Sequence, residues 1–519
     1  MIYSIERPGG ILQPVDEKGA VWRFLPKNEP DIKPLFFANK SIVASLDDDL
    51  LKQVAETAEI PNLMHLGYTA DVHVGHGTAI GTTMAAHLDD EPLISCSTVG
   101  VDIGCGISIM LTPLQAADLG GKPQLRQFIQ EVEKLIKPGE GEKNNLKIDE
   151  TELWTAVVHG LPHLGGRLAE LSGVELDLDY VEDAALDAHE LAKPFATAGG
   201  DKEWRRPGAA ISDKAWQRTV QTVGTLGGGN HFCEVQVLRV LPGKEELAAA
   251  WGLQNGQVAV MLHSGSRGGG HQIATDYERL MKAEMNKLKL PRPNKEVTFV
   301  PLHSPLGATY LFAQAVALNI SRINRLLMRA FIRRALSSVY LVEGREVRLL
   351  YDIAHNYASL ERDERLGRYL IHRKGATRAL PPGHADNPPV YRQTGHPVLI
   401  PGSMGANSRS YILVGRESGR ENLFTVNHGA GRSMSRREAR DNITLEDFTR
   451  SLTYTEEDLA QLPFTMPVDE VMVNKRRLMQ VVDEAPAAYK DADAVIDSVV
   501  GAGLAEVVAV CYPVAVIKG

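Results

Sequence analysis

What most constrains this chain is the way short β-rich runs break into glycine-containing loops that carry its unusual polar residues. VRLLYD, RYLIHR, PVLIP, SYILVG and NLFTV alternate with such loops, and β-branched and aromatic residues in runs of this length favour strands. Chemistry is therefore expected at strand ends. Five motifs, far apart in sequence, hold it: Asp102 and Cys105 in GVDIGCG, Asn230 and His231 in GTLGGGNHFCE, His263 in HSGSRGGGH, His355 and Asn356 in DIAHN, and His428 in NHGAGR. A lone buried histidine is more often a hydrogen-bonded core residue than a ligand. Five such motifs in one chain argue for a site assembled from distant segments.

At 519 residues the chain can bury a large core. Its longest apolar run, near Val507 to Ile517, is interrupted by Pro513 and falls short of the roughly 20 residues that span a bilayer, so no membrane span is expected. The opening MIYSIERPGG has no apolar signal-peptide core. Cys96, Cys105, Cys233 and Cys511 form no CxxC pair, which speaks against a disulfide framework or zinc ribbon and for a reducing cytoplasm.

A net charge of -9 spread evenly would repel a polyanion, so contact with nucleic acid needs local basic patches. One candidate lies in the strongly helical stretch Tyr310 to Val339. There Arg322, Arg325, Arg329 and Arg333 recur three or four residues apart and share a face. A solvated stripe and a phosphate contact fit that pattern equally.

Residues 1–45 read as short strands and turns. Helices are predicted near Leu46 to Ala58 and over Leu125 to Ile136, a loop over Ala196 to Ala209, and strands at about Phe232 to Val240 and Gln257 to Leu262. Further helices are predicted near Leu445 to Leu452 and Ala492 to Gly501, then a strand over Glu506 to Cys511.

Within the motifs, Cys105 offers a thiolate from a tight glycine loop, whose lone pairs can bridge two cations, and Asp102 adds a hard oxygen from the same loop. His231, His263 and His355 add neutral imidazole nitrogens. A mixed O, N and S set permits manganese, zinc, cobalt or iron. HGAGR sets His428 beside glycines whose amides can approach phosphate oxygens, with Arg432 nearby; an imidazole can attack phosphorus and split one hard substitution into two. The alternative there is a glycine turn with a surface histidine. PGSMG at 401–405 is a second loop suited to backbone recognition, and HRKGATR at 372–378 gathers three cations. No GxxxxGK[ST] is present, which excludes a P-loop NTPase, and no KxDG, so histidine is the expected point of covalent nucleotide attachment.

From about Asp71 to Gly519 the chain resembles the RtcB family of RNA-splicing ligases, through DVH, GVDIGCG, GTLGGGNHFCE, HSGSRG, DIAHN, HRKGATRA, PVLIPGSMG, HGAGRSMSR, DEAPAAYKD and the terminal VIKG. The resemblance implies a mixed α/β (α+β) fold with a deep central metal cleft formed by strand-end loops, and a catalytic domain over 46–519 behind a divergent segment 1–45. It implies two manganese ions, one on Asp102, Cys105 and His231, the other sharing Cys105 with His263 and His355. His428 would take GMP from GTP. The guanylate pocket would draw on Asn230, His231, Phe232, Cys233, Glu234, His355, Asn356, Pro401, Gly402, Ser403, Met404, Ser410, Gly429, Ala430, Gly431 and Lys490. Arg267, Arg373, Lys374 and Arg378 would contact phosphates.

The implied activity joins RNA 3'-phosphate or 2',3'-cyclic phosphate ends to 5'-hydroxyl ends in RNA repair or tRNA splicing, with an archease-like protein as a candidate activator. The chain departs from the family pattern at residues 1–45, at Asn427 and Ala315, and in DVHVGHG, which lacks the aromatic residues often found there. Those departures suggest a divergent paralogue. A metal-dependent phosphoesterase and a non-catalytic RNA-binding protein are the competing readings.

Overall fold

The β-rich runs pair into two large sheets in the computed structural model, which describes residues 3–172 and 177–519. One sheet runs in spatial order Ile5–Arg7, Gly10–Pro14, Val21–Pro26, Leu35–Phe37, His65–His73, Ile80–His87, Gly367–Lys374 and Asn356–Asp363. Within it Leu35–Phe37 pairs parallel with His65–His73. Strands before residue 45 thus extend the same sheet that carries DVH, and a short helix, Lys40–Ser45, follows them.

The second sheet runs Arg348–Ala354, Gly106–Gln115, Gln257–Ser264, Phe232–Val240, Ala505–Lys518, Ser410–Gly415 and Pro397–Ile400. The two-residue strand Met472–Val473 adds to Ala505–Lys518 in parallel. The chain is a mixed α/β protein, as the alternation predicted. Among the described residues no helix is long and apolar enough to cross a membrane.

Local signals set most boundaries. The helix Asp48–Thr57 starts where the Asp47 side chain accepts from the Leu50 amide, satisfying an otherwise orphaned donor. The helix Lys122–Leu135 buries Leu125, Phe128, Ile129 and Val132 at the spacing read from sequence. The last strand is longer than predicted, because Pro513 falls at a register shift against Phe232–Val240, where its missing N–H is tolerated, and the ladder resumes to Lys518. The stretch read as a loop over Ala196 to Ala209 contains a short 3-10 helix, Gly200–Arg205.

The helix Pro305–Tyr340, capped by Ser304 with Pro305 in its first turn, extends about 54 Å at 1.5 Å per residue and is buried over most of its length. Its arginine stripe is neither solvated nor free for phosphate. Arg325 and Arg329 both bind the Asp352 carboxylate, and all three are at most 1% exposed. Arg333 pairs with Asp177 and donates to the Val347 carbonyl, while Arg322 donates to Asn319 and approaches Asp183. The even spacing is a helix face turned inward onto acids from other segments.

Candidate active site

Four neighbouring strands of the second sheet bring the chemical residues to one end. Gly106 pairs with Ser264 and with Ala354, and His263 with Phe232, so Cys105, His231, His263 and His355 emerge side by side. Backbone bonds close the cluster: the His355 amide donates to Cys105 O at 2.8 Å and the Gly104 amide to Asn356 O at 2.8 Å.

Cys105 Sγ lies 3.3 Å from His231 Nε2 and 3.2 Å from His263 Nε2, and His263 Nε2 lies 3.3 Å from His355 Nε2. Asp102 Oδ2 is 2.9 Å from His231 Nε2, and His271 Nε2 is 3.4 Å from Asp102 Oδ1. A Cβ on Gly265 would collide with the Asp102 carboxylate, which is why that position is glycine.

These groups fit a cation better than each other. His263 Nδ1 donates to the Asn230 carbonyl at 3.1 Å, so the hydrogen-bond network assigns its Nε2 a bare lone pair aimed at the thiol and at His355. Asp102 Oδ2 is buried and lacks an aligned hydrogen bond. Burial, with the neighbouring imidazoles, holds His263 and His355 well below the usual histidine range, so both are neutral and able to ligate. Burial pushes the Cys105 thiol well up, helped by the Asp102 charge; a bound metal would have to displace that proton. Burial would raise Asp102, but His231 and His271 carry it well below the carboxylate range. Among the described residues, Cys105, His231 and His263 have ligand atoms all within 4.8 Å of one another.

His428 sits beside this cluster, its ring centroid 5.0 Å from that of His355. Pairing of Ala376 with Asn427 delivers it, next to Gly375, whose φ of +58° and crowded surroundings admit no side chain. Asp71 Oδ2 accepts from His428 Nδ1 at 2.7 Å and from the His428 amide at 3.1 Å, and Asp71 Oδ1 accepts from Thr69 at 2.6 Å. Burial would raise the Asp71 carboxyl, but His428 outweighs it and the carboxyl stays below its ordinary value. Among the described residues, no hydrogen bond occupies the second ring nitrogen.

Two cavities meet at His428, Asn230 and Ile80. The first, about 320 Å³, is lined by Asn230, Phe232, Glu234, Pro401, Gly402, Ser403, Met404, Gly429 and Gly431, all of them predicted positions. The second, about 260 Å³, is lined by Asp102, Cys105, His355 and Asn356 with Lys374 and Ser97. Five predicted pocket residues lie outside both linings. His231 is turned into the Cys/His/Asp cluster, 2.9 Å from Asp102 Oδ2. Cys233 is buried in the core on the strand between Phe232 and Glu234; Ala430 is buried in the loop. Ser410 accepts from Gln236 and the Gly402 amide and so braces the loop. Lys490 donates to the carbonyls of Ala70 and Val72, clamping the Asp71 strand.

Sequence reasoning missed others. Asp71, Lys518, Glu484 and Tyr489 lay inside recognised motifs without a role; the first holds His428 and the others line the first cavity. The lysine facing the cavity is Lys518, 3.0 Å from Glu484. The four cations predicted to contact phosphates all have protein partners. Arg373 is buried against Glu361 and Thr425, Arg378 bonds Glu182 at 2.9 Å, and Lys374 donates to the carbonyls of His76, Thr78 and Ser97. Arg267 is buried 3.4 Å from His231 Nδ1.

The family model for the tRNA-splicing ligase RtcB matches residues 53–519. The chain belongs to the RtcB family. It is 35% identical over 491 residues to the tRNA-splicing ligase RtcB of Thermococcus kodakarensis, covering 93% of this chain and 94% of that protein. To the RNA-splicing ligase RtcB of Mycobacterium tuberculosis it is 36% identical over 475 residues, 90% of this chain and 100% of the relative. A Pyrobaculum aerophilum tRNA-splicing ligase RtcB is 32% identical over 511 residues, 96% of this chain and 98% of that protein. The RtcB match therefore includes every motif of the cluster and both cavities' His428.

Proposed function

We propose that this RtcB-family chain is an RNA ligase that uses GTP to join RNA 3'-phosphate or 2',3'-cyclic phosphate ends to 5'-hydroxyl ends in tRNA splicing or RNA repair. The observation that carries the reading is His428, held by Asp71 at 2.7 Å, where two cavities meet beside a Cys/His/Asp cluster. Asp102, Cys105 and His231 would hold one divalent ion, and Cys105, His263 and His355 a second, manganese by family resemblance. Bound divalent cations polarise phosphoryl oxygens and offset charge developing in displacement.

Asp71 keeps the His428 proton on Nδ1, so Nε2 attacks the α-phosphorus of GTP. The bond from that phosphorus to the bridging oxygen breaks, and pyrophosphate leaves. Asp71 stabilises the imidazolium-like phosphoramidate that results. An RNA 3'-phosphate oxygen then takes the guanylate from His428, and a 5'-hydroxyl oxygen attacks the activated 3'-phosphate and expels GMP. A cyclic phosphate end is first opened by hydrolysis in the same site.

The first cavity suits the guanosine. Burial raises the Glu234 carboxyl to about 8, and the two N–H donors of a bound guanine edge would offset that burial and favour the carboxylate that accepts from both. In this reading 46–519 is the catalytic domain, 1–45 an addition to it, an archease-like protein an activator, and the cytoplasm the place of action.

The test is incubation with manganese and α-labelled GTP, wild type beside His428→Ala, resolved on a denaturing gel. Acid-labile, alkali-stable label on wild type alone supports the reading. Absence of label with every divalent cation tried refutes it and favours the phosphoesterase.

A further inference from the structure

The inward arginine face of the helix Pro305–Tyr340 does more than neutralise Asp352. Arg325 Nη1 lies 2.9 Å from the carbonyl of Gly104 and 3.0 Å from that of Ser264. Those carbonyls belong to the residue preceding Cys105 and the residue following His263. Its other two nitrogens engage both oxygens of Asp352 at 2.6–3.0 Å, which fixes the plane of the guanidinium. One turn earlier Ser321 also donates to Gly104 O at 2.5 Å. Beside Arg325, Asn324 donates to Ser264 Oγ at 3.1 Å and Gly265 O at 3.0 Å while accepting from the Gly224 amide at 2.7 Å.

We infer that Ser321, Asn324 and Arg325 form a positioning face for the metal centre, setting the spacing of the Cys105 and His263 loops from behind without touching an ion. Three things point there. Among the described residues, every hydrogen bond of Arg325 outside its own helix goes either to Asp352 or to these two carbonyls. The guanidinium is fully buried, at 1% exposure, so its position is over-determined and not that of a mobile surface charge. Its neighbour Arg329 bonds the same carboxylate and Ser108, with neither loop among its partners. The two arginines therefore share a structural task, and only one of them adds a connection to the site. The guanidinium is suited to this: its planar fork can satisfy a carboxylate with one side and two converging carbonyls with the other, which a lysine point charge cannot do.

This inference rests on the metal reading above, and the experiment separates their failures. Cobalt(II) binding would be followed by titration and by its visible and thiolate charge-transfer absorption, in wild type, Arg325→Met, Arg329→Met, Ser321→Ala and Asn324→Ala, at a temperature where circular dichroism shows each variant folded. Arg325→Met should bind cobalt about 10- to 100-fold more weakly, the cost typical of removing an outer support, with an altered absorption envelope; Arg329→Met should stay within about 3-fold of wild type with an unchanged spectrum. Equal losses in the two arginine variants would reduce Arg325 to core stability and overturn the inference. If Arg325→Met does not fold, the two milder variants decide: weaker binding with a shifted spectrum sustains the inference, and wild-type spectra and affinity in both overturn it. Failure of wild type itself to bind cobalt would instead refute the metal reading, and the inference with it.

Discussion

Asp71→Ala is the sharpest perturbation of the proposed chemistry, because Asp71 meets His428 twice and is not one of the proposed metal-holding residues. Its Oδ2 accepts from the imidazole at 2.7 Å and from the same residue's amide at 3.1 Å. A hydrogen bond to a charged group contributes about 1.5–3 kcal/mol, and a buried donor left unmet costs about 1–3 kcal/mol. Loss of both therefore raises the barrier to guanylate transfer by about 3–6 kcal/mol, which at 1.36 kcal/mol per decade is roughly 10²- to 10⁴-fold in rate. Asp71→Asn separates charge from geometry. Its amide oxygen can still face Nδ1 while the amide nitrogen faces Thr69, whose hydroxyl can turn to accept, so only the charge is lost and about 10- to 150-fold is expected. The assay is single-turnover labelling of the protein by α-labelled GTP at saturating manganese, with thermal denaturation as a check on folding. The order wild type, Asn, Ala should appear in the rate, with KM for GTP little changed. An Ala variant within about 3-fold of wild type would refute the reasoning, since Asp71 would then neither hold nor polarise the nucleophile.

Cys105→Ser replaces the shared thiol with a harder, poorly acidic donor; metal content measured after dialysis should fall below that of wild type, and an unchanged content would remove Cys105 from the ligand set. Glu234→Gln should raise KM for GTP more than it lowers kcat and should narrow the preference for GTP over ATP, read by competition in the labelling assay; an unaltered preference would place the base elsewhere. Glu484 gives a pH signature. Burial alone would raise its carboxyl, but Lys518 and Arg436 outweigh that and lower it to about 2. A depressed acid stabilises the fold fully above its unfolded value, near 4.5, and loses that contribution as pH falls from there through about 2, an effect on the order of 3 kcal/mol. Urea denaturation across that window should show a steeper loss in wild type than in Glu484→Gln; parallel curves would contradict the ion cluster.

The residues of the cluster were legible because their signals are local. A glycine loop next to a β-rich run announces a strand end, and strand ends are where backbone turns free side chains to converge. What the sequence could not show is which strand ends become neighbours, since that depends on pairings such as Gly106 with both Ser264 and Ala354, made across hundreds of residues. The arginine stripe shows the same limit from the other side. Its period revealed a common face correctly, but whether that face meets water or protein was decided by Asp352, Asp177 and Asp183, none of which is near it in sequence. Lys490 and Lys518 divide along this line as well. Both stand in recognisable motifs, yet one spends its ammonium on the carbonyls of Ala70 and Val72 and the other reaches the cavity beside Glu484.

Those two lysines connect the parts of the site in a way that bears on its order. Lys490 clamps the strand that carries Asp71, and Asp71 holds His428, so that histidine is fixed from the first sheet. The Cys/His cluster is fixed from the second sheet and from the long helix behind it. His428 and His355, with ring centroids 5.0 Å apart, are where the two supports meet. A change in the packing of one sheet on the other would alter that separation before it altered either support. His428 and the Cys/His cluster should therefore lose their coupling at perturbations too small to unfold either sheet, as interacting neighbours on separate frames are expected to do.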